Sequence, residues 1–473
     1  MARFAFIQNL WTENLGIMYL SSMLQSKGHE AKIFIDVRGS NALEDVLAYA
    51  PQVVGVSCTT GLHHWGIDFC RAVKAAKPEI LTIMGGPHAT FCPEVAREES
   101  IDYAVRGEGE NAMAIMAEEL GNGREFTAIE NFVYFRDGEL VINPMGRLIE
   151  DLDSIPFADR TYYDRYPLTR NEGSKNFISG RGCPYKCTFC ANYEYHNIYH
   201  GLGKWVRYRS HDNVLSEIEE VRDKYGIKFV GFSDDTLIFN RKWLLPFFKE
   251  YKQRIGLPFI STVRANLIDE EVVSALKDAG CISCVFGLES GVDSIRNGVL
   301  QKGINENQIR MTAHLFRKYK IQFGTYNMLG LPGETIEDSW QTVKLNAEIK
   351  PDFPWCSILQ PYPGTKIHQD MEKSLGETID ANKISASYFT ASVIDNPDIR
   401  QMENLQKFFH LAVKAPWLNP LIRQLIKLPP NFIFTLIFQI CYGWQLLHRS
   451  HLNLIQMFKY WWTQQGLFSK KKK

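Results

Sequence analysis

Two runs of short apolar strands, each strand separated from the next by a helical pattern, restrict this 473-residue chain more than any other feature. A parallel neighbour needs a long crossover, and a helix supplies it, so such alternation builds parallel sheets. In the first run Arg3–Ile7, Ala31–Ile35, Val53–Ser57, Leu81–Met84 and Tyr103–Val105 read as strands. Between the first two, Ile17, Leu20, Ser21 and Leu24 share one helical face, which Gly28 ends. Further helical stretches lie around Leu43–Tyr49, at Trp65–Ala76 and after Gly109. The pattern predicts an α/β, doubly wound, Rossmann-like sheet whose ligand sits beyond the carboxyl ends of the strands.

Residues Phe132–Ile142 predict a hairpin turning at Asp137-Gly138, and DLDSIPFADR reads as a connector. The second run has strands at Asn176–Ser179, Phe229–Phe232, Phe259–Val263, Ser283–Leu288, Gln322–Met328 and Cys356–Leu359. Six such units predict an incomplete (β/α)6 TIM-like barrel, with its chemistry on loops at the C-terminal strand ends. The expected divisions are 1–135 for the first domain, 136–168 for the hairpin and linker, 169–395 for the barrel and 396–473 for a helical C-terminal region.

Ten cysteines are too sparse for a disulfide scaffold. Three of them, Cys183, Cys187 and Cys190, crowd into RGCPYKCTFC directly after the first strand of the second run. Three thiolates in C-x3-C-x2-C can hold three irons of a 4Fe–4S cluster and leave the fourth without a protein ligand. An open metal position is the mark of a catalytic site. A zinc knuckle with a remote fourth ligand is the alternative, but zinc favours paired C-x2-C elements and no second pair is near. Cys281 and Cys284, a lone C-x2-C at the entry to the fourth barrel strand, read as buried apolar residues rather than ligands of an auxiliary cluster. A cysteine metal site points to a reducing compartment, and MARFAFIQNLWTENLG shows no signal-peptide pattern, so a cytoplasmic location is expected.

C-x3-C-x-aromatic-C, with Phe189 before the last cysteine, on the first loop of an incomplete βα barrel resembles the radical S-adenosylmethionine (SAM) enzymes. The resemblance implies a 4Fe–4S cluster on Cys183, Cys187 and Cys190 whose open iron chelates the amino and carboxylate groups of SAM. The reduced cluster would pass one electron to the sulfonium and generate a 5′-deoxyadenosyl radical. It also implies a SAM-binding set at successive strand ends. Asp234 and Asp235 of FSDDTL belong at the amino group and Arg264 of STVRAN at the carboxylate. Glu289 of FGLESG belongs at the ribose hydroxyls, with Met328 and Gly330 of NMLGLPGET at the adenine. Phe189 and Gln360 of LQPYPGT complete the set. A helix N-cap at Asp235 or Asn240 is the competing use of that segment.

The first domain resembles the cobalamin-binding domain of cobalamin-dependent radical SAM enzymes in LGIMYLSSMLQSKGHEAKIFID, GVSCTTG, IMGGPHAT and YAVRGEGE. The resemblance implies cobalamin against Ser57, Cys58, Thr59, Gly85, Gly86, His88, Gly107 and Glu108. Gly85-Gly86 after a strand lets a bulky ligand approach the backbone. TENLGI stands where D-x-H-x-x-G supplies an axial histidine in many cobalamin proteins, so the lower face of the corrin is expected without that histidine. A domain of the same shape that has lost its ligand is the alternative.

Enzymes of this architecture methylate unactivated carbon or phosphorus, rearrange substrates or close rings. The anaerobic magnesium-protoporphyrin IX monomethyl ester cyclase is similar in layout. The expected function is therefore a cobalamin-dependent radical SAM enzyme that methylates or rearranges an unactivated carbon of a small-molecule or lipid-like substrate. An electron donor such as a flavodoxin or ferredoxin is the expected partner. A radical SAM cyclase or oxidoreductase without methyl transfer is the runner-up, and a non-catalytic membrane-associated iron–sulfur protein the third reading.

Lys+Arg and Asp+Glu are both 53, a formal charge of +0 that excludes a nucleic-acid binder driven by bulk positive charge. The zero conceals two opposed regions. From Arg400 on there are eleven Lys and Arg against the single acid Glu403, a net of +10, so the first 399 residues carry −10. Leu428–His448 has no charged side chain, but it opens on Pro429-Pro430, and Asn431, Thr435, Gln439 and Gly443 recur every four residues. That pattern fits a helix packed on the barrel's open side, or one lying in a membrane interface at the inner face of the membrane, better than a span. Trp461-Trp462 and Lys470–Lys473 favour the interface.

Overall fold

The computed structural model describes residues 1–389 and 391–450. Two largely parallel sheets organise them. The first contains β1 (Arg3–Gln8), β2 (Glu30–Ile35), β3 (Val53–Ser57), β4 (Leu81–Gly85), β5 (Tyr103–Val105), β6 (Phe132–Arg136) and β7 (Glu139–Ile142), in the order β2-β1-β3-β4-β5-β6-β7. Its first five strands are parallel, and their order is doubly wound, with the ligand crevice at the switch point between β1 and β3. Alternate residues of β1 feed two cores: Phe4 and Phe6 meet Met18 and Leu24 on one face, while Ala5 and Ile7 join Val46 and Ile67 on the other. The Leu15–Ser26 helix starts where the Asn14 side chain accepts from the Ile17 N–H.

The hairpin expected at Phe132–Ile142 is present and turns at Asp137 (φ 54°) and Gly138 (φ 83°), as a two-residue turn requires. β6 pairs antiparallel with β5, Ala104 opposite Val133, so the sheet has seven strands and β7 belongs to it. The pairing satisfies the outer backbone of β5 and moves the edge of the sheet to β7.

In the second sheet, β8 (Ser174–Phe177) starts two residues before the position read from the sequence. Two-residue strands β9 (Gly180–Arg181) and β10 (Arg207–Tyr208) pair antiparallel and close the base of the cysteine loop. β11 (Phe229–Phe232), β12 (Phe259–Val263), β13 (Cys281–Glu289), β14 (Gln322–Leu329) and β15 (Phe353–Ile358) follow. The order β15-β14-β13-β12-β11-β8 is parallel throughout and does not close, since β8 and β15 are its two edges. Phe177, Val230, Phe232 and Phe259 pack against the outer helices through Leu244, Phe247 and Tyr251. Cys281 and Cys284 are buried, their Sγ atoms 3.4 Å apart, within this core.

The Ile399–Lys414 helix lies against the β15 edge, burying Met402, Leu405 and Phe409 with Cys356 and Ile358. The Phe432–Ser450 helix packs on it in turn, with the rings of Phe408 and Phe434 4.8 Å apart. No helix among the described residues is long and apolar enough to cross a membrane. Trp461-Trp462 and Lys470–Lys473 lie outside the described residues.

A buried ionic chain fastens the first sheet to the barrel. Glu13, in the loop after β1, accepts from Arg160 (2.7 Å) and from the Asn176 N–H (2.6 Å). Arg160 also pairs with Glu217 (3.3 Å), which takes Arg209 at 2.6 Å, and all four side chains are at most 5% exposed. Each charge is balanced only by its neighbours, so losing any member leaves a buried charge alone, at a cost of about 3–5 kcal/mol. The arrangement fixes where the switch-point loop stands.

Candidate active site

The three cysteines lie between β9 and β10 at the carboxyl end of the barrel. Cys187 is buried; Cys183 and Cys190 are half-buried. Burial pushes the Cys190 thiol up to about 11 and raises that of Cys183, with Asp235 and the other thiols adding repulsion. A bound metal reverses this by taking the thiolate form outright. Among the described residues no three His, Cys, Asp or Glu side chains converge as a single ion would need. A 4Fe–4S cluster asks something different, one thiolate for each of its ligated irons, and the donor set of this loop fits that. The loop is tied down at several points. The Trp205 indole donates to the Cys183 carbonyl (3.0 Å), the Thr188 N–H to the Leu300 carbonyl (3.1 Å), and Arg264 Nη1 lies 3.4 Å from Cys187 Sγ.

The strand ends around this loop carry the residues expected for SAM. Asp234, after β11, is buried, and its Oδ1 accepts from the Ser179 N–H, the Ser179 hydroxyl and the Gly180 N–H at 2.7–2.9 Å. Its Oδ2 has no partner, and burial pushes the carboxyl up to about 6. Asp235 is exposed and accepts from Asn192 (2.9 Å); neither aspartate caps a helix, because Asn240 does so through the Trp243 N–H. Arg264 stacks 3.6 Å over the Tyr185 ring and donates to the Lys302 carbonyl, leaving its Nε unpartnered. Glu289 holds a left-handed backbone (φ 66°) at the end of β13, and its Oε1 is 2.7 Å from Lys302 Nζ. A side chain in that region is strained and is held there by its surroundings.

Met328 and Phe189 pack together against Leu331 and Leu359. Gly330 (φ 77°) sits in a turn fixed by buried Glu334, which accepts from the Leu331 N–H (2.8 Å) and the Ser339 hydroxyl (2.9 Å). Gln360 is buried, donates to the Ala391 carbonyl (2.7 Å) and leaves Oε1 without a partner. Asp234 Oδ2, Arg264 Nε and Gln360 Oε1 are thus buried polar atoms without partners at three strand ends of one barrel. Their mix of donor and acceptor suits an amino acid moiety.

Across from the barrel, the first sheet presents its own strand ends, and between the two lies an open cleft with a cavity volume of about 360 Å³. Ser57, Gly85, Gly86, Gly107 and Glu108 line it, as expected for cobalamin. Eight of the lining residues are glycines, contributed from both sides. A Cβ on Gly86 would come within 2.8 Å of Ser57 Oγ, and one on Gly107 within 1.9 Å of the Tyr199 hydroxyl, so both positions hold the backbone in close approach. A smooth, wide, glycine-lined crevice at a switch point fits a bulky planar ligand such as a corrin.

Three residues expected there are placed elsewhere. Cys58 is buried beneath Gly66, Thr59 is exposed outside the cleft walls, and His88 is buried against His63, ring centroids 3.8 Å apart. Burial and the neighbouring imidazoles push His88 down to about 3, and it shares a hydrogen bond with Thr60 (3.0 Å). Glu108 reaches the cleft but is shared by Arg207 (2.6 Å) and Arg181 (3.2 Å). Burial alone would push its carboxyl up; the two guanidiniums outweigh that and hold it below the usual range. Arg181, Arg207 and Lys302 were missed in the sequence because nothing in local spacing reveals an ion pair formed across two domains or two loops. Arg181 alone had a signal, its place in RGC ahead of the first cysteine.

A sequence profile of the Radical SAM superfamily matches residues 177–345, and one of the B12 binding domain matches residues 10–117. An uncharacterized methyltransferase of Pyrococcus horikoshii is 30% identical over 366 residues, covering 75% of this chain and 77% of its own length. The anaerobic magnesium-protoporphyrin IX monomethyl ester cyclase of Rubrivivax gelatinosus is 26% identical over 421 residues, covering 83% of this chain and 73% of its own. Among solved structures, the radical SAM methyltransferase TsrM from Kitasatospora setae, with cobalamin and a 4Fe–4S cluster bound, has a TM-score of 0.66 at 17% identity over 79% of this chain and 75% of that one. The cobalamin-dependent enzyme OxsB, with aqua-cobalamin and SAM bound, has a TM-score of 0.67 at 15% identity over 97% of this chain and 72% of its own. The cofactors that go with the two matched domains are a 4Fe–4S cluster, SAM and cobalamin. The chain belongs to the radical SAM superfamily, among the members in which a B12-binding domain precedes the radical SAM domain.

Proposed function

We propose that this protein transfers a methyl group to an unactivated carbon of a small, hydrophobic molecule. The single observation that carries the reading is the shared cleft, which Gly85 and Gly86 approach from one domain and Gly182 and Asp235, beside the cysteine loop, from the other. A substrate lying there is within reach of both cofactor sites. When bound, the cluster with SAM supplies a 5′-deoxyadenosyl radical, and cobalamin supplies the methyl group.

The chain's own residues bind, orient and shield. Cys183, Cys187 and Cys190 hold the cluster. Asp234 and Asp235 receive the SAM amino group, and the planar guanidinium of Arg264 takes the carboxylate. Glu289 accepts from the ribose hydroxyls, and Lys302 keeps its carboxylate aimed. Met328, Gly330 and Phe189 form the adenine wall, with Gln360 closing it. Tyr195, Tyr199 and Trp205, whose rings stack at 6.2–6.3 Å, line the barrel side of the cleft and keep water from the radical. A flavodoxin or ferredoxin in the cytoplasm delivers the electron.

The test is a product assay under anaerobic reduction with reconstituted cluster, cobalamin and candidate substrates. Methyl transfer yields both 5′-deoxyadenosine and S-adenosylhomocysteine. Neither nucleoside would sink the reading. Deoxyadenosine without homocysteine product would favour the second reading, a cyclase or oxidoreductase, which the long match to the Rubrivivax enzyme supports.

A further inference from the structure

The Phe432–Ser450 helix is apolar on two opposite faces. Its inner face, through Phe434, Phe438 and Tyr442, packs on Phe408, Phe389 and Trp355. On the outer face Phe432 is 78%, Ile433 52%, Leu436 48% and Ile440 63% exposed. At about 3.6 residues per turn these four fall in one sector of roughly 100°. Trp417 (78%) and Leu421 (56%) extend the patch onto the preceding segment. A helix apolar on two opposite faces is normally covered on both, and a patch of this extent marks an interaction surface.

Charge says what covers it. Arg400 and Lys427 are exposed beside the start of this helix, brought together where Arg400 Nη2 donates to the Lys427 carbonyl. Glu403, the one acid of residues 400–473, points inward and accepts from the Ser392 N–H. An apolar helical face with an adjacent cationic rim and an exposed tryptophan matches a surface of hydrocarbon beneath anionic headgroups. Arg423 is paired with the exposed Glu337 of the Ile336–Ile349 helix, so the cations of this rim are Arg400 and Lys427. We propose that the C-terminal helices dock on the surface of an anionic bilayer, lying in its interface without crossing it. The proposal is independent of the reaction assigned above, and its test does not read turnover.

The full chain, with its cluster reconstituted, is floated with vesicles of phosphatidylcholine alone or of phosphatidylcholine mixed with phosphatidylglycerol. It should float with the mixed vesicles, remain behind with the neutral ones, and be released as salt rises. Leu436→Glu with Ile440→Glu should reduce the floated fraction at least tenfold, and Arg400→Glu with Lys427→Glu should do the same, since each cation contributes roughly fivefold near such a surface. Both pairs are exposed, so the cluster absorbance should stay unchanged and report intact folding. Equal flotation with both vesicle types, or none with either, would overturn the proposal. So would a dimer in sedimentation that Leu436→Glu with Ile440→Glu dissolves, which would give the face to a second copy of the chain.

Discussion

The first sheet and the barrel bring the same geometry to one cleft, parallel strands with their carboxyl ends facing it, and equip it in opposite ways. The sheet side shows much glycine backbone, at Gly55, Gly85, Gly86 and Gly107, and its polar groups there are Ser57 and the ion-paired Glu108 and Glu110. The barrel lines it with Arg181, Asp235 and the rings of Tyr195, Tyr199 and Trp205, and holds its ionising and ligating groups, the three thiols, Asp234, Arg264 and the Glu289–Lys302 pair, at the strand ends behind them. On the proposed assignment, cobalamin would be held mainly by shape, and the cluster and SAM by ligation and charge. Each half should therefore fail in its own manner.

The sharpest division is expected from Cys187→Ala, which should abolish the iron–sulfur absorbance and all SAM cleavage while cobalamin still binds. Loss of cobalamin in the same variant would mean that the two halves do not act separately. Next in size is Lys302→Met. It strands the buried Glu289 carboxylate, and denaturant unfolding should show about 3–5 kcal/mol less stability. Adding Glu289→Gln should restore most of that, as removing both charges of a buried pair is far milder than removing one.

On the other side of the cleft the lever is volume. The Cβ position of Gly85 has its nearest neighbour 4.0 Å away, so Gly85→Leu puts its bulk into the cleft rather than into protein. Titration followed by the corrin spectrum should show about tenfold weaker cobalamin binding, roughly 1.4 kcal/mol, with cluster content unchanged. Should the cluster be lost as well, holding by shape would not be confined to the sheet.

The smallest effect is in pH. Burial pushes Glu334 from its ordinary 4.5 up to about 7, so the folded chain keeps a proton that the unfolded chain releases. That contribution is complete below about pH 4.5 and is lost as pH rises through 7. Relative to Glu334→Gln, which keeps the turn at Gly330 without a charge, the natural chain should lose stability between pH 5 and pH 8. Equal slopes for the two proteins would show that Glu334 does not carry a titration of the barrel loops. The glycine edges of the sheet have nothing to titrate, so cobalamin affinity should not follow this slope.

Strand positions were legible in the sequence because each strand is a short apolar run bounded by turn residues, and β11 and β12 were found to the residue. The cysteine loop was legible because its ligands are local, spaced within one turn of chain. What escaped was long-range. Nothing in Phe132–Ile142 says which strand it pairs with, and the choice of β5 is made by an edge formed thirty residues earlier. His88 followed the right glycines yet turned inward, because His63, on another loop, offered it a stacked ring. Glu108 stands at the cleft, but its carboxylate is shared by Arg181 and Arg207 from the other domain. Pairing across a domain boundary leaves no periodic trace.

The chain Glu13–Arg160–Glu217–Arg209 also couples the stability of the two halves. Glu13 belongs to the first sheet's loop and the other three to the connector and the barrel, so separating the halves would strand a buried charge on each side of the break. The two domains should therefore unfold in a single transition, one melting point for both.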